Sequence, residues 1–265
     1  MTAELDRAAE AIATAGAVLV CAGAGMGVDS GLPDFRGTEG FWRAYPPYQR
    51  LGLRFEELAD PVHFADDPEL AWGFYGHRLA LYRTTVPHTG FKVLLDWGAR
   101  VFTSNVDGQF QLAGFTDVAE VHGSIHHLQC TLPCRSDVWA AEVDVAIDPE
   151  TMRAVGELPA CPTCGALARP NILMFGDSWW VPDRSQSVVD DLARWRRAAR
   201  DLAVVEIGAG QAVPTVRRYA ELASAASGRL IRINPREPEV RHGRGISLPM
   251  PAAAALAEIQ ARINS

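Results

Sequence analysis

Four of the five cysteines stand in two close pairs, Cys130-x3-Cys134 and Cys161-x2-Cys164, with 26 residues between the pairs. Close thiolate pairs at such spacing suit one tetrahedral Zn²⁺. Four cysteine ligands leave no open coordination position, so such a metal would hold structure and do no chemistry. The first 20 residues mix Glu, Asp and Arg with alanines and show no secretory or transit signal. The pairs therefore read as metal ligands before disulfides. His126 and His127 are alternative ligands nearby, and Cys21, at the end of an apolar run, reads as a small buried hydrophobe.

A second chemical feature is Gly23-Ala24-Gly25-Met26-Gly27, directly after the apolar run AVLVCA. Glycines there let the backbone approach a pyrophosphate and offer it N–H donors. A hydride-transferring dehydrogenase would continue from its glycines straight into a helix. Here Val28 follows, and Ser30-Gly31-Leu32-Pro33 would break a helix at once, so the segment reads as a loop and that class is disfavoured.

The elements that would carry these residues alternate. Residues 3–15 have apolar positions at helical spacing, and the run from Ala17 reads as a buried strand. Arg100–Val106, Ala203–Ile207 and Arg229–Ile233 read as further parallel strands, with helical patterns over Ser187–Arg200 and Val213–Ala226. Each strand ends in polar or glycine residues, at the edge where open α/β sheets place ligands. The expected fold is therefore α/β: a Rossmann-like doubly wound parallel sheet. Residues 40–87, rich in Trp, Tyr and Pro, and residues 126–168, with the cysteine pairs, break this rhythm. They are expected to form a smaller lobe, helical plus zinc-binding, inserted into a nucleotide-binding domain of residues 1–39, 88–125 and 169–265.

The 265 residues are 48% hydrophobic and 22% charged, ordinary for a soluble chain with a sizeable core. A formal net charge of -7 argues against nucleic acid as the main partner. No apolar run reaches membrane-spanning length, so the expected compartment is the cytoplasm.

The stretch GAGMGVDSGLPDFRG, from Gly23 to Gly37, closely resembles the NAD-binding signature of the sirtuin family. Thr103-Ser104-Asn105-Val106-Asp107-Gly108 resembles the family's TQN(I/V)D segment, and His122-Gly123-Ser124 its HG(S/T) segment. Arg169-Pro170-Asn171-Ile172-Leu173-Met174-Phe175-Gly176 is similar to the segment that follows its second cysteine pair. Gly208-Ala209-Gly210 and Ile233-Asn234 stand where the family has GTS and IN, all in the family's order.

The resemblance implies an NAD-dependent protein-lysine deacylase. In that reaction the acyl oxygen of an acyl-lysine attacks the nicotinamide ribose and nicotinamide leaves. A histidine then acts as base on the ribose hydroxyls, and the acyl group departs on ADP-ribose. His122 matches the histidine, and an imidazole with an ordinary pKa of about 6.5 suits the task. Asn105 and Asp107 would orient the ribose and a water, while Asp34, Phe35 and Arg36 would line the nicotinamide and phosphate side. Gly23, Ala24, Gly25, Ser104, Val106, Gly208, Ala209, Gly210 and Asn234 complete the expected NAD contacts. Met174, Phe175 and Gly176 would receive the acyl-lysine peptide as an added strand. Trp179-Trp180 beside them either covers that cleft or fills a core.

Ser104, Gly27 and Ala209-Gly210 depart from the family's usual Gln, Ser and Thr-Ser, each removing or shortening a hydrogen-bonding side chain. An NAD hydrolase or ADP-ribosyltransferase on the same fold, or a non-catalytic NAD-binding protein, are the competing readings. Residues 60–78 also resemble sirtuins that remove succinyl, malonyl and glutaryl groups, which carry a Tyr-x-x-Arg pair. Tyr75 and Arg78 reproduce it. On a helix, i and i+3 share a face, and a guanidinium fork with a tyrosine hydroxyl can hold a terminal carboxylate.

Overall fold

The computed structural model describes residues 1–33, 37–132, 134, 137–241 and 245–265, with residues 37–40 described by backbone alone. Apolar runs buried on both faces form the strands of the main sheet. Three come first: β1 (Ala17–Ala22), β2 (Arg100–Thr103) and β3 (Val118–Glu120). An antiparallel group follows, β4 (Gly123–Cys130), β5 (Trp139–Ala140), β6 (Ala146–Ile147), β7 (Ala154–Val155) and β8 (Ala168–Ile172). The chain then returns to the main sheet with β9 (Leu202–Ile207), β10 (Leu230–Ile233) and β11 (Ile246–Leu248).

The main sheet has six parallel strands in the order β11-β10-β9-β1-β2-β3. The chain leaves β1 toward β2 and β3 on one side, and later runs from β9 to β10 and β11 on the other. The boundary between β1 and β9 is thus the switch point, where open α/β sheets form a crevice at the strands' carboxyl ends. The expected α/β fold is borne out, and the four strands read from sequence lie within or overlap these bounds.

Alternation along each strand divides the core. Val18, Val20, Val101, Val205 and Ile231 face helices α1 (Thr2–Ala13), α7 (Thr89–Asp96) and α11 (Ala252–Ile263). Leu19, Cys21, Phe102, Val204 and Leu230 face α9 (Asp183–Ala198) and α10 (Thr215–Ser224). Cys21 is wholly buried, and burial pushes its thiol well above the usual range, as suits a packing residue.

A third core draws on residues between Leu32 and Tyr82 and between Val106 and Met174. Its aromatic side chains come from α2 (Gly37–Ala44), α3 (Pro46–Arg50), α4 (Phe55–Leu58), α5 (His63–Asp66) and α6 (Pro68–Thr84). They pack against β4, β8 and the β6–β7 hairpin. Trp72 Nε1 donates to the Ala168 carbonyl at 2.9 Å and the Tyr48 hydroxyl to the Met152 carbonyl at 2.9 Å, so polar tips are satisfied across the two segments. Asp67 caps α6 by accepting from Leu70 N, Pro68 occupies the first turn, and Arg153 pairs with Asp67 from the far segment.

Candidate active site

A cavity of about 700 Å³ opens at the carboxyl ends of β1, β2 and β9 and runs under α6. Its size is that of a pocket for a nucleotide-sized ligand. Gly23 and Ala24 line it from the β1 loop, Ser104, Asn105, Val106 and Asp107 from the β2 loop, and Ala209 and Gly210 from the β9 loop. His122 enters just before β4, Tyr75 and Arg78 from α6, and Met174 and Phe175 from the segment after β8. The cavity thus gathers most of the side chains that the sequence marks. Gly25, Gly208, Gly176 and Asn234 stand outside its lining, and Asp34, Phe35 and Arg36 lie outside the described residues.

The β2 loop is built by its own polar side chains. Thr103 Oγ1 donates to the Ala22 carbonyl at 2.8 Å and accepts from Asn105 N at 3.0 Å. Asn105 Nδ2 donates to the Gly23 carbonyl at 3.0 Å, joining the two loops. Asp107 Oδ1 accepts from Gln109 N at 2.9 Å, at the start of α8 (Gln109–Leu112), and its carbonyl accepts from His126 Nε2 at 2.9 Å. Burial pushes the Asp107 carboxyl up to about 6, with Glu120 adding to the rise. Burial lowers His122 below the ordinary histidine value, which favours the neutral imidazole that a base requires.

On the β9 side the backbone is shaped by residues that only the fold brings together. The Ala209 carbonyl accepts from Asn234 Nδ2 at 3.0 Å and from Arg217 Nη2 at 2.9 Å. Asn234 Oδ1 accepts from the N–H groups of Arg236 and Glu237. Asn234 is fully buried, so it positions the loops on either side while Arg236 and Glu237 reach the cavity wall. Beneath them Glu206 is held by both Nε and Nη2 of Arg232 at 2.8 Å.

Met174 is buried and Phe175 half-exposed, yet the Phe175 N–H already donates to the Ala59 carbonyl at 3.0 Å. One of the backbone donors expected to meet a peptide is therefore engaged internally. The turn is anchored by a buried bidentate pair, Arg169 to Asp177 at 2.7 and 2.9 Å, and Asp177 also accepts from Met174 N and Trp179 N. Trp179 is 66% exposed whereas Trp180 packs near Gly123, so the two tryptophans do different things.

The four cysteine Sγ atoms all lie within 4.8 Å of one another. Cys130 and Cys164 are 3.7 Å apart, and Cys134 and Cys161 3.6 Å. Zinc–thiolate bonds of about 2.3 Å in a tetrahedron give sulfur–sulfur edges of about 3.8 Å, so the cluster fits one structural Zn²⁺. His126 is engaged with Asp107 and is not among the clustered ligands.

A sequence model of the Sir2 family matches residues 23–209. The chain belongs to the Sir2 family. It is similar to NAD-dependent protein deacylase 1 of Pseudomonas aeruginosa, 30% identical over 259 residues that span 96% of each chain. It is also similar to an NAD-dependent protein deacylase of Pyrococcus furiosus, 33% identical over 200 residues and 72% of each chain. Among solved structures it is similar to a complex of a Sir2 homolog with NAD, with a TM-score of 0.75, 28% identity and coverage of 97% of this chain and 92% of that one. No helix among the described residues is long and apolar enough to cross a membrane.

Within this Sir2 chain, three residues near the cavity stand outside the motifs that the linear sequence marks. Tyr82 lines the cavity beside Arg78, Gln109 is buried behind Asp107, and Arg217 reaches the β9 loop from α10. Tyr82 alone had a periodic cue, one turn beyond Arg78 on the same helical face.

Proposed function

We propose that this Sir2-family chain is an NAD-dependent protein-lysine deacylase that moves the acyl group to ADP-ribose with release of nicotinamide, preferring acyl groups that end in a carboxylate, such as succinyl or malonyl. Family membership and the activity of its relatives support the deacylase part. The observation that carries the acyl preference is that Tyr75 and Arg78 line the same cavity as His122, Asn105 and Asp107.

The donor set fits NAD: backbone of the β1 and β9 loops for phosphates, and the amide of Asn105 at the turn between them. When bound, NAD supplies a ribose carbon with nicotinamide as its leaving group. Ser104, Val106, Ala209 and Gly210 complete the wall around it, and Gly25, Gly208 and Asn234 support that wall from behind. His122, neutral near pH 7, takes a proton from a ribose hydroxyl at a ring nitrogen. Asn105 and Asp107 hold that ribose and a water in line with it. Met174, Phe175 and Gly176 form the edge along which the acyl-lysine peptide lies.

Arg78 is 5% exposed and surrounded by aromatic rings, with its guanidinium carbon 5.0 Å from the Phe74 centroid and 5.6 Å from that of Tyr75. A cation held in so dry a place binds a carboxylate strongly and rejects a methyl group. The test compares acetyl-, propionyl- and succinyl-lysine peptides of one sequence with NAD, with products read by mass spectrometry. Succinyl-lysine should give the highest kcat/KM, and Arg78→Met should lower it about a hundredfold relative to acetyl-lysine, the loss typical of a buried charge contact. Equal changes for the two acyl groups would refute the preference. ADP-ribose released without peptide would assign the chain to NAD hydrolysis.

A further inference from the structure

Tyr75, Arg78 and Tyr82 are spaced i, i+3 and i+7 on α6 and so share one helical face. All three are buried and all three line the cavity. The Tyr82 hydroxyl oxygen accepts from Arg78 Nε at 3.0 Å and from Nη2 at 2.9 Å. These two donors form one edge of the guanidinium fork, so the phenol fixes the plane of the group. Tyr82 is itself anchored. Gln109 Nε2 donates to the carbonyls of Tyr82 and Thr85 at 3.3 and 3.2 Å, satisfying groups that the last turn of a helix leaves without partners. Through its own N–H, the same Gln109 holds Asp107.

A hydroxyl oxygen that accepts two N–H groups still has one O–H to donate. Among the described residues nothing accepts it, and Tyr82 faces the cavity. Burial also raises the phenol above its ordinary range, which keeps that proton in place. We propose that Tyr82 is a third acyl-recognition residue, orienting Arg78 and donating its own O–H to the terminal carboxylate of the acyl group. The inference rests on the acidic-acyl reading and deepens it. The guanidinium is ordered before the acyl group arrives, so little freedom is lost on binding. The carboxylate then meets a neutral donor beside the cation.

The experiment measures KM and kcat for succinyl- and acetyl-lysine peptides with Tyr82→Phe, Arg78→Met and the double variant. Tyr82→Phe should raise KM for succinyl-lysine about tenfold relative to acetyl-lysine, the effect of a lost hydrogen bond to a charged group. In the Arg78→Met background the same change should shift that ratio by less, about threefold, because only the direct O–H contact is then lost. A wild-type preference for succinyl-lysine that Arg78→Met abolishes and Tyr82→Phe leaves intact overturns this inference alone. No wild-type preference overturns the acidic-acyl reading and this inference with it. If Tyr82→Phe does not fold, Tyr82→Gln and Tyr82→Leu, close in size, replace it. Glutamine keeps an acceptor and a donor and should hold the ratio within about threefold of wild type, whereas leucine should not. Equal ratios for the two overturn the proposal.

Discussion

A Cβ placed on Gly208 would lie 2.4 Å from the Cα of Gly25, and one placed on Gly25 would lie 2.7 Å from the Cα of Gly208. The Gly25 N–H donates to the Gly208 carbonyl at 3.1 Å. The loops after β1 and β9 therefore meet backbone against backbone at the switch point, behind the cavity wall that their neighbours Ala24 and Ala209 form. Gly208 also sits at φ 61, in the left-handed region.

Gly208→Ala meets both obstacles, a clash with backbone that cannot rotate away and a strained φ. It should cost about 2–4 kcal/mol of stability and weaken NAD binding. Denaturant unfolding and calorimetric titration with NAD check this. Stability within about 0.5 kcal/mol of wild type would show that the loops can separate without consequence.

The same pair shows what could and could not be read in the linear chain. The glycines after β1 were legible as a special turn, and the sequence order of motifs placed that turn with Asn105, Asp107 and His122. That Gly25 serves the neighbouring loop could not be read, because Gly208 is distant in sequence and adjacent only in space. Strands β1, β2, β9 and β10 were legible because each is an apolar run buried on both faces. β3 and β11 have three residues each, too short for any period, and β4 carries two histidines and a glutamine that mask its alternation. Gln109 and Arg217 act through carbonyls of other elements, which no local pattern announces.

Burial lowers the His122 pKa, and among the described residues no charged neighbour offsets that shift. Turnover by a neutral imidazole should therefore survive to mildly acidic pH. The acid limb of kcat/KM should have its midpoint no higher than the ordinary histidine value of about 6.5. His122→Ala should lower kcat at least about a hundredfold, as loss of a general base does. A midpoint above 7 in a pH series with acyl-peptide in constant ionic strength would contradict burial as the dominant influence.

Asp107 titrates at about 6 in the fold because burial disfavours its carboxylate, while an unfolded chain returns it to the ordinary range. The folded state thus binds the proton more tightly. Its contribution to stability is fully present below about pH 4 and is lost as pH rises through about 6. Asp107→Asn removes the buried charge and keeps an acceptor for Gln109 N. It should raise unfolding free energy at pH 8 by an amount of order 2 kcal/mol and have little effect at pH 4. Unfolding curves at the two pH values test this, and a destabilised variant at pH 8 would mean that the carboxylate is held by more than it costs.

The cysteine cluster stands apart from the cavity but not from what positions it. Cys130 ends β4, the strand that begins immediately after His122, and Thr131 N donates to the Leu167 carbonyl just ahead of β8. A metal there fastens the far end of the β4–β8 pair, and four thiolates leave it no site for substrate. One zinc per chain is expected by elemental analysis. Chelation at neutral pH should lower Tm and abolish turnover of acyl-peptide, since metal binding is coupled to folding of its lobe. On the proposed assignment of NAD to the β1, β2 and β9 loops, its binding should weaken far less than turnover under the same treatment. Cys161→Ser should reproduce the chelated behaviour. Turnover that persists in chelator with an unchanged Tm would show that the four cysteines hold no metal the fold depends on.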